Sequence, residues 1–197
     1  MRSHAVSCGR KASYPAIIVT CVYPANKRSA ARFKMINCPN CGALMQLAPS
    51  TDYYTCAYCT TFYFPEPNDD HVRVLAEPVG MACPRCHGEL VAGVVAETRV
   101  AYCGRCRGIL ASRTVFGVVV GYLRSRARTP ALPPRPVDLA QLKRQIRCPQ
   151  CGRTMDVHPY YGPGNIVIDT CGACQLLWLD HGELASIVDA PGRDRRT

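Results

Sequence analysis

The chain has 197 residues, of which fourteen are cysteine and four are phenylalanine, so cysteine supplies much of its 48% hydrophobic content. Sixteen prolines and fifteen glycines divide the sequence into short pieces. A chain of this length can form one ordinary domain or several very small ones, and this composition favours small units that need additional staples for stability. No run of apolar residues is long enough for a membrane span, and we expect a cytoplasmic protein without a membrane partner.

The net charge of +10 is concentrated at the N-terminus. Residues 1–34 contain seven Lys and Arg side chains and no acidic residue, which leaves +3 for the rest of the chain. Charge alone is therefore a weak argument for nucleic-acid binding by the rest of the chain. Residues 1–34 are predicted to be a basic, disordered tail or sequence upstream of a start at Met35, although their composition also resembles a transit peptide. Cys8 and Cys21 lie in this tail.

The other twelve cysteines form six C-x-x-C pairs, which combine in chain order into three quartets. Within the quartets 14, 16 and 19 residues separate the two pairs. This spacing is typical of zinc sites, because a two-residue turn aims both sulfurs at one ion and a hairpin returns the chain to it. The predicted ligands of about three Zn²⁺ ions are Cys38, Cys41, Cys56 and Cys59; Cys83, Cys86, Cys103 and Cys106; and Cys148, Cys151, Cys171 and Cys174.

Other cysteine chemistry fits these pairs less well. A redox C-x-x-C begins a helix in a βαβ setting, and no such pattern surrounds these pairs. CPRCH at 83–87 matches a haem attachment pattern, but haem would leave Cys103 and Cys106 without partners. Disulfides need an oxidising compartment, and no secretory signal is apparent. His87 and His181 lie near the knuckles and are predicted to be surface residues rather than ligands.

The first unit, 35–64, is predicted to be a plain zinc ribbon, which is an antiparallel hairpin with its two knuckles on one ion. The acidic, proline-containing sequence after it predicts a linker over 65–80. The second unit, 81–128, is predicted to be a ribbon followed by a helix from about 113 to 126, although a strand for VFGVVVGYL stays open. Ser112 is its predicted cap, and its predicted apolar face is Val115, Val118, Val119 and Tyr122.

Residues 129–146 predict a stiff, proline-rich linker followed by a short helix. The third unit, 147–190, is predicted to be a ribbon plus helix, and 191–197 a frayed tail. Asp180 is the predicted N-cap of that helix, with Glu183 completing a capping box. Trp178 is predicted to pack the helix onto its ribbon, and the predicted apolar face of the helix is Leu184, Ile187 and Val188.

The third unit resembles the transcription factor IIB-type zinc ribbon of small bacterial proteins, most strongly over 147–188. The family pattern has two knuckles and a W-L-D-x-G-E-L tail, which this chain matches at Trp178, Leu179, Asp180, Gly182, Glu183 and Leu184. Leu176 stands where the family usually has glycine. A fainter resemblance covers 82–123, where Gly108 keeps that glycine and Leu110 replaces the tryptophan.

The predicted fold class is small, metal-stabilised and mostly β, with three tandem zinc ribbons and short helices after the second and third. The first functional hypothesis is a non-enzymatic, zinc-binding interaction module with a protein partner in a transcription-related role, and without a small-molecule substrate. The second is direct nucleic-acid binding. It would use Arg85, Arg105, Arg107, Arg124, Arg126 and Arg128, with base stacking on Tyr53, Tyr54, Phe62 and Tyr63. A thiol oxidoreductase or zinc enzyme is a third class, disfavoured because each quartet is coordinatively closed.

Overall fold

The computed structural model describes residues 36–128, 130–192 and 194. The fold is mostly antiparallel β-sheet with two α-helices, which confirms the predicted fold class. The tail predicted over 1–34, with Cys8 and Cys21, and most of the tail predicted over 191–197 lie outside the described residues. Within the described ranges no helix has the length and apolar character needed to cross a membrane.

The first ribbon forms a small sheet of its own. Its strands are β1 (Gln46–Leu47), β2 (Tyr54–Thr55) and β3 (Phe62–Tyr63), in the antiparallel order β1-β2-β3. Met45 and Tyr54 are buried with two of its cysteines, so the metal site forms much of this small core.

The second and third ribbons share one antiparallel sheet. Its seven strands are β4 (Arg73–Ala82), β5 (Glu89–Val95), β6 (Thr98–Tyr102), β7 (Ile109–Ser112), β8 (Asp156–Pro159), β9 (Val167–Cys171) and β10 (Leu176–Leu179). The strand order is β4-β5-β6-β7-β10-β9-β8. The second ribbon supplies β5-β6-β7, the third supplies β10-β9-β8, and β7 pairs with β10 at the junction.

This arrangement is close to two-fold symmetric about the β7–β10 pair. Leu110 pairs directly with Trp178, and each is the fourth residue after the last cysteine of its own quartet. The ribbons that the sequence predicts as separate units over 81–128 and 147–190 are therefore halves of one body. Pairing these two strands removes an open edge from each ribbon and enlarges a core that neither could build alone.

The linker predicted over 65–80 is wrong in its second half, because β4 begins at Arg73 and pairs with β5. Its Leu75 is buried against Ala92 and Val94 of β5. Pro78 lies at a shift in register of this edge strand, where a missing N–H is tolerated. The prolines and acidic residues of 65–70 correctly predict irregular structure at those positions. The linker prediction fails for the apolar residues after them, which form β4.

The two helices pack in the same apolar core as one face of the shared sheet. Helix α1 spans Arg113–Arg126, and the Ser112 hydroxyl accepts the N–H of Val115 at 3.2 Å, as predicted for its cap. The predicted apolar face is correct at Val119, which is buried, and wrong at Val118, which is 51% exposed. The buried residues are Phe116, Val119, Val120 and Arg124.

Helix α2 spans Glu183–Asp189 and buries the apolar face predicted for it: Leu184, Ile187 and Val188. The short helix predicted before the third ribbon is a single 3₁₀ turn at Gln141–Lys143. Arg124 of α1 is fully buried and donates hydrogen bonds to the carbonyls of Ile187 and Ala190, at the end of α2. A buried arginine thus satisfies helix carbonyls that would otherwise lack donors.

Candidate metal centres

The structure brings the twelve cysteines of the quartets into three groups, each composed as the spacing predicts. Within each group the four Sγ atoms lie within 4.8 Å of one another, and the nearest Sγ–Sγ distances are 3.4–3.7 Å. A disulfide needs about 2.05 Å, whereas four sulfurs around one zinc ion at about 2.3 Å lie roughly 3.8 Å apart. The three groups therefore fit about three zinc ions per chain.

The backbone of each knuckle repeats one conformation. In five of the six knuckles the first cysteine donates its N–H to the carbonyl five residues later and accepts the N–H four residues later, as Cys83 does with Gly88 and His87. The residue after the second cysteine is left-handed in all six, with φ between 55° and 76°. These residues are Gly42, Thr60, His87, Arg107, Gly152 and Gln175. His87 therefore occupies a turn position, and it is exposed and outside the ligand group, as predicted.

Hydrogen bonds to sulfur prepare these sites for a cation. The N–H groups of Arg85 and Cys86 point at the sulfur of Cys83 at 3.4 and 3.5 Å. Donors of this kind offset the negative charge of four thiolates around one ion.

In each site the pKa of at least one thiol lies below its ordinary value, as for Cys86 in the second site, where it is about 7. A hydrogen bond from the Thr61 hydroxyl lowers the pKa of Cys59 to about 6. A backbone hydrogen bond at Arg153 lowers the pKa of Cys151 to about 7. Burial raises the pKa of Cys148 in the same third site, so zinc must displace its proton on binding.

Comparison with known proteins agrees with this geometry in the third ribbon. Residues 147–190 match the family model described as transcription factor zinc-finger. The third ribbon is therefore similar to the TFIIB-type zinc ribbon. No curated protein and no solved structure matches the chain. The fainter resemblance of residues 82–123 to the same family stays a prediction.

The tryptophan of the third ribbon lies on the metal side of the sheet. Trp178 is fully buried in a cluster that contains Leu110 and cysteines of both the second and the third site. Its neighbours Leu177 and Leu179 belong to the core that contains the helices. The prediction that Trp178 packs the helix onto its ribbon is therefore wrong, because alternate residues of a strand face opposite sides of the sheet.

A glycine of the second ribbon makes room for this tryptophan. A Cβ atom on Gly108 would lie 2.0 Å from Cζ2 of Trp178, well inside any tolerated contact. The symmetry-related position in the third ribbon is Leu176, the residue that departs from the family pattern. Leu176 and Leu110 pack in the same cluster, and Leu110 is smaller than the tryptophan it replaces. A side chain at 176 is tolerated for this reason.

A partly buried polar network supports the same junction. Arg144 contacts the carboxylates of Asp169 and Asp180, and Asp180 also accepts the indole N–H of Trp178 at 2.9 Å. Arg85 of the second ribbon reaches Asp180 at 3.4 Å. This network therefore holds Trp178 in place and joins both ribbons.

The capping box predicted before α2 is half correct. The Glu183 carboxylate accepts the N–H of Asp180 at 2.7 Å, as predicted. The Asp180 side chain serves Trp178 and Arg144 instead of capping, and Gly182 with φ 82° precedes the helix. Burial raises the pKa of Glu183 to about 8.

Asp70 joins the segment after the first ribbon to both other ribbons. This carboxylate is buried and accepts hydrogen bonds from Arg107 Nε at 2.9 Å and the Tyr102 hydroxyl at 3.3 Å. It also lies 2.8 Å from Nδ1 of His181 in the third ribbon. His181 is half-exposed, as a surface residue should be, but its contact with Asp70 has no local signal in the sequence.

Proposed function

We propose that this protein is a non-enzymatic, zinc-binding interaction module that contacts a protein partner in a transcription-linked process. The observation that carries the proposal is the closed ligand set: each group offers four sulfurs to one ion. Zinc with four thiolate ligands keeps no open position for substrate or water. The match of 147–190 to a transcription factor zinc-finger family supports the link to transcription.

The polar side chains near the third site support a non-enzymatic role. Asp180 and Glu183 are engaged in the network around Trp178 and the start of α2. His181 is held by Asp70. Groups that hydrogen-bond one another across elements are explained by structure, and they do not need a catalytic role.

The arginines weigh against direct nucleic-acid binding as the main function. Arg85 pairs with Asp180, Arg107 pairs with Asp69 and Asp70, and Arg124 is fully buried. Three of the six arginines that the nucleic-acid hypothesis assigns to phosphate contacts are therefore engaged in contacts within the protein. Protein contact is favoured for the remaining surface.

Affinity capture of the tagged protein from its own cells, followed by mass spectrometry, tests the proposal. We expect a protein partner that survives nuclease treatment and is lost when zinc is chelated. Recovery of nucleic acid alone, or of no partner above an untagged control, would contradict the proposal.

Oligonucleotide titration at two salt concentrations tests the hypothesis of direct nucleic-acid binding. Direct binding predicts a steep loss of affinity with salt, reduced in Arg126→Ala/Arg128→Ala. The control is Arg85→Ala, whose guanidinium is engaged with Asp180. We expect no salt-sensitive binding that depends on the exposed pair.

A further inference from the structure

The first ribbon carries a cluster of three aromatic side chains, which we term the aromatic face: the half-buried Tyr53 and the exposed Phe62 and Phe64. The Tyr53 ring lies 5.6 Å from that of Phe62 and 5.2 Å from that of Phe64, between ring centroids. Phe62 is 60% exposed and Phe64 53% exposed. A group of exposed aromatic rings on a small domain indicates a binding surface for another molecule, because contact between apolar rings and water is unfavourable in free energy.

The aromatic face lies on an anionic part of the chain. Residues 36–72 contain four acidic residues and no Lys or Arg. Arg73 and Arg107 pair with three of these acids, whereas Glu66 is exposed and makes no ion pair within the described ranges. A zinc ion with four thiolates adds a net charge of about −2. This environment repels the phosphates of nucleic acids and favours a cationic peptide.

A cationic peptide of suitable conformation lies elsewhere on the same chain. We term residues 130–136, PALPPRP, the proline segment, and all seven residues are exposed and outside helices and strands. Proline fixes φ, and the residue before a proline is held extended, so this sequence favours a polyproline II helix. Pro130, Pro133 and Pro136 recur every three residues and therefore share one edge of such a helix.

The proline segment is held in place by its backbone. The N–H of Leu132 donates to the carbonyl of Asp189 at 2.8 Å, and the carbonyl of Arg135 accepts from the Asn165 amide at 3.2 Å. A segment ordered before binding loses little conformational entropy on docking. The chain is cationic up to the end of the segment, since residues 113–136 contain five arginines and no acid, and four are exposed: Arg113, Arg126, Arg128 and Arg135.

We propose that the proline segment of one copy of this protein docks on the aromatic face of a second copy. Aromatic surfaces bind polyproline II peptides, and an arginine in the peptide adds attraction to aromatic rings and acids. Phe62, Phe64 and the proline segment are solvent-exposed in one chain, which leaves both surfaces available to a second copy. The inference rests on the proposed role as an interaction module and names one partner. The contact is small, so the association is weak and rises with concentration.

Sedimentation velocity of the purified, zinc-loaded full chain over a wide concentration range tests this proposal. Phe62→Ser/Phe64→Ser removes the aromatic face, and Pro133→Ala/Arg135→Glu alters the proline segment. We expect each variant alone to associate at least about tenfold more weakly, as for loss of an interface hot spot. A mixture of the two variants regains association, because each supplies the surface that the other lacks.

Matched controls keep the test specific. Tyr58→Ser removes an aromatic residue of the same ribbon that is 85% exposed, and Leu139→Ser removes a 68% exposed residue just beyond the proline segment. Both controls should associate like the wild type, and native mass spectrometry should find the same zinc count in every variant.

Three results would overturn the proposal. They are a wild-type protein that stays monomeric throughout, association that neither variant weakens, and variants whose mixture regains nothing. If Phe62→Ser/Phe64→Ser no longer binds a captured protein or an oligonucleotide but still self-associates, the aromatic face binds that molecule instead of a second copy. Cell-derived partners are measured separately, so failure here leaves the broader proposed function to its own experiment.

Discussion

The junction of the second and third ribbons has no room for a side chain at position 108, because Trp178 fills the space beside Gly108. Gly108→Ala should lower the free energy of unfolding by about 1–3 kcal/mol, the usual cost of an overpacked core. The indole cannot easily move aside, because Asp180 accepts its N–H. Urea denaturation of the zinc-loaded protein measures the change.

Gly104→Ala is the matched control, since a Cβ there meets nothing within 4 Å. In a Trp178→Leu background the cost of Gly108→Ala should be smaller than in the wild type, because the smaller side chain relieves the clash. Equal stability of Gly108→Ala and Gly104→Ala would contradict this account of the junction.

Glu183 makes stability depend on pH. Burial raises its folded-state pKa to about 8 from the ordinary 4.5, so the folded protein binds a proton that the unfolded chain releases between these values. Its contribution to stability therefore falls as pH rises through this window. Between pH 6 and pH 8 the wild type should lose about 1–2 kcal/mol relative to Glu183→Gln.

Comparing the two proteins at each pH cancels the pH dependence of zinc binding, which both share. Glutamine keeps an oxygen that can accept the Asp180 N–H, so α2 should begin at the same residue. A difference between the proteins that is constant from pH 6 to pH 8 would show that Glu183 has an ordinary pKa.

The role of a residue can be predicted from the sequence when its partners lie close to it along the chain. The cysteine quartets are predictable because short turns and one hairpin bring each set together. Asp70 is not predictable, because its partners Arg107 and His181 lie 37 and 111 residues away. The sequence predicts that the Asp180 side chain caps α2, which begins close by. In the fold this side chain instead contacts Trp178 and Arg144, and Arg144 lies 36 residues away.

At the scale of elements, the hairpin between β5 and β6 has a turn that its residues do not favour. Val95 pairs with Thr98, and the two residues between them are left-handed, with φ 47° at Ala96 and 60° at Glu97. This is the backbone of a type I′ turn, in which Asn-Gly is preferred. Ala96→Asn/Glu97→Gly should therefore raise the free energy of unfolding by about 1 kcal/mol.

Urea denaturation checks the hairpin variant, with Glu97→Gln as its control. That control removes the ion pair with Arg73, which is 3.1 Å long and largely exposed at Glu97, and should change stability little. A double variant no more stable than the control would show that the turn is not strained.

The same turn shows why strands and helices were only partly predictable. Apolar stretches on either side of the cysteine pairs indicate the ribbon strands, and Ser112 indicates where α1 begins. The turn at Ala96 and Glu97, strand β4 and the buried face of α1 depend on tertiary pairing. Phe116 rather than Val118 is buried because the shared sheet, absent from any local pattern, sets the rotation of the helix.

At the scale of the whole molecule, the shared sheet should couple the second and third metal sites. Trp178 packs in one cluster with cysteines of both sites, whereas the first ribbon has a separate core. Cys171→Ser should weaken zinc binding at both the second and the third site and expose Trp178. Cys56→Ser, the equivalent change in the first ribbon, should affect one site and leave Trp178 buried.

Zinc competition with a chelator and tryptophan emission measure this coupling. A red shift of the emission is expected in Cys171→Ser alone. Loss of a single zinc ion in both variants, with unchanged emission, would show three independent ribbons. That is the organisation the sequence predicts, because a repeat pattern cannot reveal that two units pair through β7 and β10.

Native mass spectrometry of the purified full chain, with its thiols kept reduced, tests the central claim most directly. Three Cys₄ groups predict three zinc ions per chain, all released by a strong chelator together with loss of β-structure. A metal-free folded protein, or cysteines joined in disulfides within the quartets, would contradict the account.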